Sequence, residues 1–146
     1  MVLGIYKGSH QEYSSVYNSD VMITMRDGVQ LSADIFYPSI NDEKIPSTFP
    51  VILERTPYDK TASRAHSKGH YFAKRGYICV IQDVRGRFKS EGDWYAFADE
   101  AEDGYDTVEW LGDQKWCNGK IGTMGGSYAG SDQAALATLN PPHLST

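Results

Sequence analysis

The sequence predicts an α/β fold in which an antiparallel hairpin leads into parallel strand–helix units, and three observations predict it. An Asp27-Gly28 pair separates two apolar stretches, the signal of a tight hairpin turn. Beyond it, short continuous apolar runs alternate with amphipathic segments, the rhythm of strands buried on both faces between covering helices. Last, Ile121-Gly122-Thr123-Met124-Gly125-Gly126-Ser127-Tyr128-Ala129-Gly130 reads as a strand, a sharp turn and the start of an alanine-rich helix.

Residues 1–19, polar and patternless, are expected to form a loose leader to a folded unit spanning 20–146. Val21 to Met25 reads as a strand. After the Asp27-Gly28 turn, Val29, Leu31, Ala33, Ile35 and Tyr37 alternate with Gln30, Ser32 and Asp34, the period of a second strand. Pro38 is expected to end it, leaving a polar loop from Ser39 to Pro50. Val51-Ile52-Leu53 is a buried strand. A helix over about His66 to Arg75 stops at Gly76, and Tyr77 to Gln82 is the next buried strand. A long loop from Asp83 to Phe97 follows. Asp99, Glu100, Glu102 and Asp103 then crowd the start of a helix, where acids suit the positive end of its dipole. Ala101, Tyr105, Val108 and Leu111 form its apolar face. Asn118-Gly119 turns the chain into a strand over Lys120 to Met124. The final helix, Tyr128 to Leu139, is stopped by Pro141-Pro142.

Composition narrows the function classes. In 146 residues, 14 Lys and Arg face 19 Asp and Glu, a formal charge of −5. That balance, with no basic run among aromatics, argues against nucleic acid or an anionic membrane as partner. The N-terminus has neither a basic start nor a long apolar stretch, so no signal peptide or membrane span is expected and the cytoplasm is the default. Cys79 falls in an apolar run and reads as a core residue. Cys117 sits in a turn, and a disulfide between them is not expected.

The turn at Ser127 carries the chemistry. A serine lifted on a strand-to-helix elbow stands above the sheet edge, where a carbonyl can reach it, and small neighbours such as Gly125 let the backbone close tightly. The competing reading is an ordinary helix start with Ser127 as N-cap. An acyl-transfer elbow also needs oxyanion donors. The Tyr128 N–H is placed by the elbow itself. The loop Arg55-Thr56-Pro57-Tyr58-Asp59-Lys60 stands where a second donor belongs, although spacing alone makes Tyr58 a turn aromatic.

Four segments in order resemble the cocaine esterase and X-Pro dipeptidyl-peptidase-like family of α/β-hydrolases: Met25 to Asp34; Arg55-Thr56-Pro57-Tyr58; Gln82 to Phe88 with Ser90-Glu91-Gly92; and Asp103 through Trp116-Cys117-Asn118-Gly119-Lys120 to the elbow. The resemblance covers residues 20–146. It implies the N-terminal half of an α/β-hydrolase catalytic domain, with an elbow of pattern G-x-S-Y-x-G that Gly125 to Gly130 satisfies. It further implies Ser127 as nucleophile, with the Tyr58 hydroxyl and the Tyr128 N–H as oxyanion donors. The triad acid and histidine would then come from sequence past the nucleophile helix. The expected reaction is hydrolysis of a small ester, amide or X-Pro peptide, without metal or cofactor. The alternative is a catalytically incomplete truncation acting through a partner, with its open sheet edge a surface for self-association.

Other candidates are weaker. His66 and His70 have the spacing of a helical metal pair but lack a third ligand, and read as solvated helix residues. His143 and Asp132 are poorly placed to complete a triad with Ser127. Asp83, Arg85, Arg87 and Glu91 read as a structural ion-pair network or, by the resemblance, as a loop bordering the active side. Trp94, Trp110 and Trp116 read as packing aromatics. The Gly122 to Gly130 run lacks the lysine of a phosphate loop.

Overall fold

Two apolar faces of one mixed sheet account for the architecture. The computed structural model describes residues 9–146. Its strands are β1 (Ser14–Thr24), β2 (Gln30–Ile40), β3 (Glu43–Lys44), β4 (Phe49–Thr56), β5 (Ile78–Asp83) and β6 (Cys117–Thr123). Its helices are α1 (Ser63–Ala73), α2 (Glu100–Gly112) and α3 (Tyr128–Ala137). The sheet order is β1-β2-β5-β4-β6, with β3 pairing onto β2. β1, β2 and β3 run antiparallel to their partners, and β4 pairs in parallel with both β5 and β6. The expected hairpin and strand–helix alternation are therefore present. Leu144 forms an isolated parallel bridge with Ile121, so the segment after Pro141-Pro142 does run alongside β6.

Each face is built by alternation. Leu31, Ala33, Ile35, Tyr37, Val51, Leu53, Val80 and Ile121 point to one side, where Val108 and Leu111 of α2 and Leu136 of α3 complete the core. Phe36, Cys79 and Ile81 point to the other, covered by Ala65 and Ala73 of α1. The β2 residues between the expected apolar positions are thus also buried, because α1 covers that face. Gly69 is the close-approach point: a methyl group there would overlap the Phe36 ring. Phe36 is fully buried, stacked on Tyr17 and edged by His66 and His70.

Several boundaries differ from expectation for local reasons. β1 begins at Ser14, so the segment 14–19 of the expected leader is strand; residues 1–8 lie outside the described residues. β2 does not end at Pro38 but runs to Ile40. The Pro38 carbonyl accepts from Ile45 N–H, so its ring nitrogen faces the same edge, past the last β2–β5 partners Phe36 and Cys79. No N–H is needed there. The polar loop after it contains β3. α1 starts at Ser63 and ends before Gly76, whose φ of +83° suits a helix stop. The acids opening α2 do more than complement a dipole: Glu100 and Asp103 are buried and paired with arginines. Both cysteines are free and buried, with burial pushing the Cys79 thiol up to about 12.

Gly69→Ala tests the close helix–sheet contact. Alanine favours a helix by about 1 kcal/mol over glycine, but the Phe36 ring has no room to move, so overpacking should win by about 1–3 kcal/mol. A lowered Tm is the expected result.

Candidate active site

Small residues and charge meet where β4, β5 and β6 end. After β6 the chain turns through Met124-Gly125-Gly126 and enters α3 at Tyr128. Ser127 sits in that turn at φ +57°, ψ −125°, with no side-chain cap bond to the helix. A non-glycine residue held at positive φ is strained, and the absence of a cap bond removes the simplest reason for a serine there. Of the surrounding glycines only Gly125 is sterically required: a Cβ on it would come within 2.6 Å of the Ala129 Cβ. A Cβ on Gly130 would meet nothing closer than an ordinary 3.5 Å contact. Ala129 is itself the small residue onto which Gly125 closes.

Tyr58 stands opposite. Its ring is 59% exposed and its hydroxyl lies 3.4 Å from Ser127 Oγ. That separation is long for a direct O–H···O bond, so the two oxygens converge on a shared space more than they hold each other. A cleft of about 490 Å³ opens beside them, reaching Thr56, Gly126 and the Glu54–Lys68 ion pair. The Tyr128 N–H belongs to the first turn of α3, where amides lack intrahelical acceptors. The structure thus brings all three expected residues to one place.

What fixes the elbow from beneath was not legible in the sequence. The Tyr128 hydroxyl donates to Glu100 Oε1 at 2.8 Å and accepts from the Phe97 N–H at 2.9 Å. Its ring stacks on Phe97 at 4.2 Å. Glu100 is paired at 3.0 Å with Arg55, which also donates to the Glu100 carbonyl and to Gln82 Oε1. Asp132, one turn along α3, is 1% exposed with both oxygens unpartnered. Burial first, and then the nearby Glu100, push its carboxyl up to about 7 against the pull of Arg55.

The remaining candidates take other roles. His66 and His70 are half-buried and hydrogen-bonded, not free on a solvated helix face. His66 Nε2 lies 2.9 Å from Asp34 Oδ2, and His70 Nδ1 shares a 2.8 Å hydrogen bond with Ser15 Oγ. His143 Nδ1 lies 2.9 Å from Glu109 Oε2. The loop after β5 is the structural network: Arg85 pairs with Asp103 and Asp27, Arg87 donates to the Pro57 carbonyl, and Glu91 accepts from Gln30 N–H. Trp110 and Trp116 pack on the core, whereas Trp94 is exposed beneath Arg87. Among the described residues no His, Cys, Asp and Glu group could hold a metal ion, and no helix is long and apolar enough to cross a membrane.

Comparison with known proteins agrees with the fold. Residues 27–146 match the family described as X-Pro dipeptidyl-peptidase (S15 family). Cocaine esterase of Rhodococcus sp. (strain MB1 Bresler) is 40% identical over 119 residues, 79% of this chain and 20% of that protein. The crystal structure of a CocE/NonD family hydrolase from Staphylococcus aureus superposes with a TM-score of 0.77 at 31% identity, covering 89% of this chain and 26% of that one. An α-amino acid ester hydrolase gives a TM-score of 0.71 at 33% identity, covering 98% and 26%. The fold is that of an α/β-hydrolase, and the chain spans about a fifth to a quarter of the length of these relatives.

Two predictions follow from the packing. Gly125→Ala should destabilise the chain or displace α3, whereas Gly130→Ala, inside the helix with room for a methyl, should be neutral or gain about 0.5 kcal/mol; thermal unfolding of the pair separates them. The second concerns Asp132. The fold binds its proton more tightly than the unfolded chain does, so the stability this group contributes is full below the ordinary carboxylate pKa of 3.8 and is lost as pH rises through about 7. Asp132→Asn should match the parent near pH 4 and exceed it near pH 8 by at least about 1 kcal/mol in urea unfolding.

Proposed function

The chain belongs to the X-Pro dipeptidyl-peptidase (S15) family, and on that premise we propose that Ser127 is the nucleophile of a serine hydrolase acting on ester or amide bonds. The observation that carries the reading is the strained Ser127 with the Tyr58 hydroxyl 3.4 Å away across an open space. In the proposed reaction, Ser127 Oγ bonds to the substrate carbonyl carbon and its proton passes to a histidine base. His66, His70 and His143 are engaged elsewhere and His10 lies exposed ahead of β1, so the base is assigned to sequence that the relatives carry and residues 1–146 do not. As the carbonyl oxygen gains charge, the Tyr58 O–H and the Tyr128 N–H donate to it. Collapse of the tetrahedral intermediate expels the alcohol or amine, which takes the proton, and leaves an acyl-Ser127 ester. Water then hydrolyses that ester by the same steps. Electrostatic stabilisation by donors already in place is the largest contribution of such a site.

The test is acyl transfer from a p-nitrophenyl ester to the full chain as its cell makes it. Intact mass should show an acyl adduct that maps to Ser127 and disappears in Ser127→Ala. Tyr58→Phe should lower kcat by about 10²–10³ with little change in KM. Hydrolysis indifferent to Ser127→Ala would sink the nucleophile assignment, and a Tyr58→Phe variant with parental kcat would remove Tyr58 from the oxyanion site alone.

A further inference from the structure

Tyr58 poses a mechanical problem. Its ring is largely exposed, yet its hydroxyl must hold a fixed place opposite Ser127. A side chain this exposed takes much of its position from its backbone, so the question is what holds the backbone.

Lys60, two residues on, is fully buried, and its ammonium donates to Asp20 Oδ1 at 2.6 Å and Asp34 Oδ1 at 2.7 Å. Its backbone N–H donates to Asp83 Oδ1 at 2.8 Å. One loop residue is therefore tied to β1, β2 and β5 at once. The partners are themselves held. Asp34 is 1% exposed and its other oxygen meets His66 Nε2; Asp20 also accepts from Lys89 Nζ at 2.8 Å. Asp20 stands at φ +54° where the β1–β2 register shifts between Asn18 and Val21. The bulge is what turns its carboxylate toward the loop. Between Lys60 and Tyr58 the chain is stiff: Asp59 lies at φ +78° with its carboxylate bonded to Thr61, and the Tyr58 N–H donates to Thr56 Oγ1.

Stability alone is a poor reason for this arrangement. Removing an ammonium from water costs several kcal/mol, and apolar residues of similar volume in place of the whole ion cluster often serve the fold as well or better. What a buried, multiply bonded charge does supply is a fixed position, because moving it leaves carboxylates unpaired.

We propose that Lys60 is a positioning residue: its ammonium, clamped between Asp20 and Asp34, sets the loop that aims the Tyr58 hydroxyl at the space above Ser127. The proposal rests on the assignment of Tyr58 made above, and its test has one arm that needs no turnover. With 3-fluorotyrosine placed at position 58, the ¹⁹F line should shift on Ser127→Ala, reporting the nearby hydroxyl. In Lys60→Met that response should be lost while the circular dichroism of the fold is kept. Should Lys60→Met fail to fold, Asp34→Asn, which leaves Lys60 its Asp20 partner, should weaken the response. The kinetic arm is a double-mutant cycle: Lys60→Met should lower kcat by about 10- to 100-fold, and should add nothing once Tyr58 is phenylalanine, whereas a merely structural role would cost the same in both backgrounds. A Ser127 response that survives both Lys60→Met and Asp34→Asn overturns the role of Lys60 and leaves the hydrolase reading standing. A parent line blind to Ser127→Ala overturns both the clamp and the Tyr58 assignment.

Discussion

Arg55, next to last in β4, has a side chain only 1% exposed, and a guanidinium so placed has to find acceptors for its donors or cost the fold several kcal/mol. Its Nε donates to Gln82 on the neighbouring strand and its Nη1 to the Glu100 carbonyl, with the Glu100 carboxylate 3.0 Å away as counter-charge, while Nη2 is left without a hydrogen-bond partner. Those bonds dock the start of α2 against the sheet. Because Glu100 also accepts from the Tyr128 hydroxyl, the same cluster docks the start of α3. The elbow thus leads from β6 into a helix whose start is held, through Glu100, by one buried cation.

Lys60 performs the corresponding task on the other side of Ser127. The two clusters share a logic that the apolar core does not. Leu53, Val80, Leu111 and their neighbours hold the layers together, and such contacts tolerate volume-conserving exchange. The ionic clusters lie at the carboxyl ends of the parallel strands, the end at which α/β sheets place ligands. There, a displacement of a fraction of an ångström matters more than a kilocalorie of stability. Asp132 shows the cost of concentrating charge in that layer: it is buried beside Glu100 with no partner for either oxygen.

Much of this was legible in the residues, and what was not has physical reasons. Continuous apolar runs located β4 and β5, alternation located β2, and glycines with a serine located the elbow. Strand ends were misjudged where a proline sits at a ladder edge that asks for no N–H, and where a polar stretch, Ser14 to Asn18, pairs with β2 through its backbone. The site's supports were invisible for a different reason. Asp20, Asp34 and Lys60 have no periodic relation, and a lysine in a loop ordinarily faces water. His66 and His70 looked solvated because their partners, Asp34 and Ser15, lie on strands far away in sequence.

The bulge at Asp20 has a consequence for how the molecule forms. Asp20 N–H donates to Asp34 Oδ1 at 3.0 Å, so the β1–β2 hairpin, a local element able to form within microseconds, brings two carboxylates together before Lys60 has arrived. Until then the hairpin's native register carries a like-charge repulsion. Lys60, Lys89 and His66, all distant in sequence, relieve it, which ties the final register of the first two strands to long-range assembly. The loop that carries Tyr58 and the edge of the sheet are thereby tied together through one ion cluster.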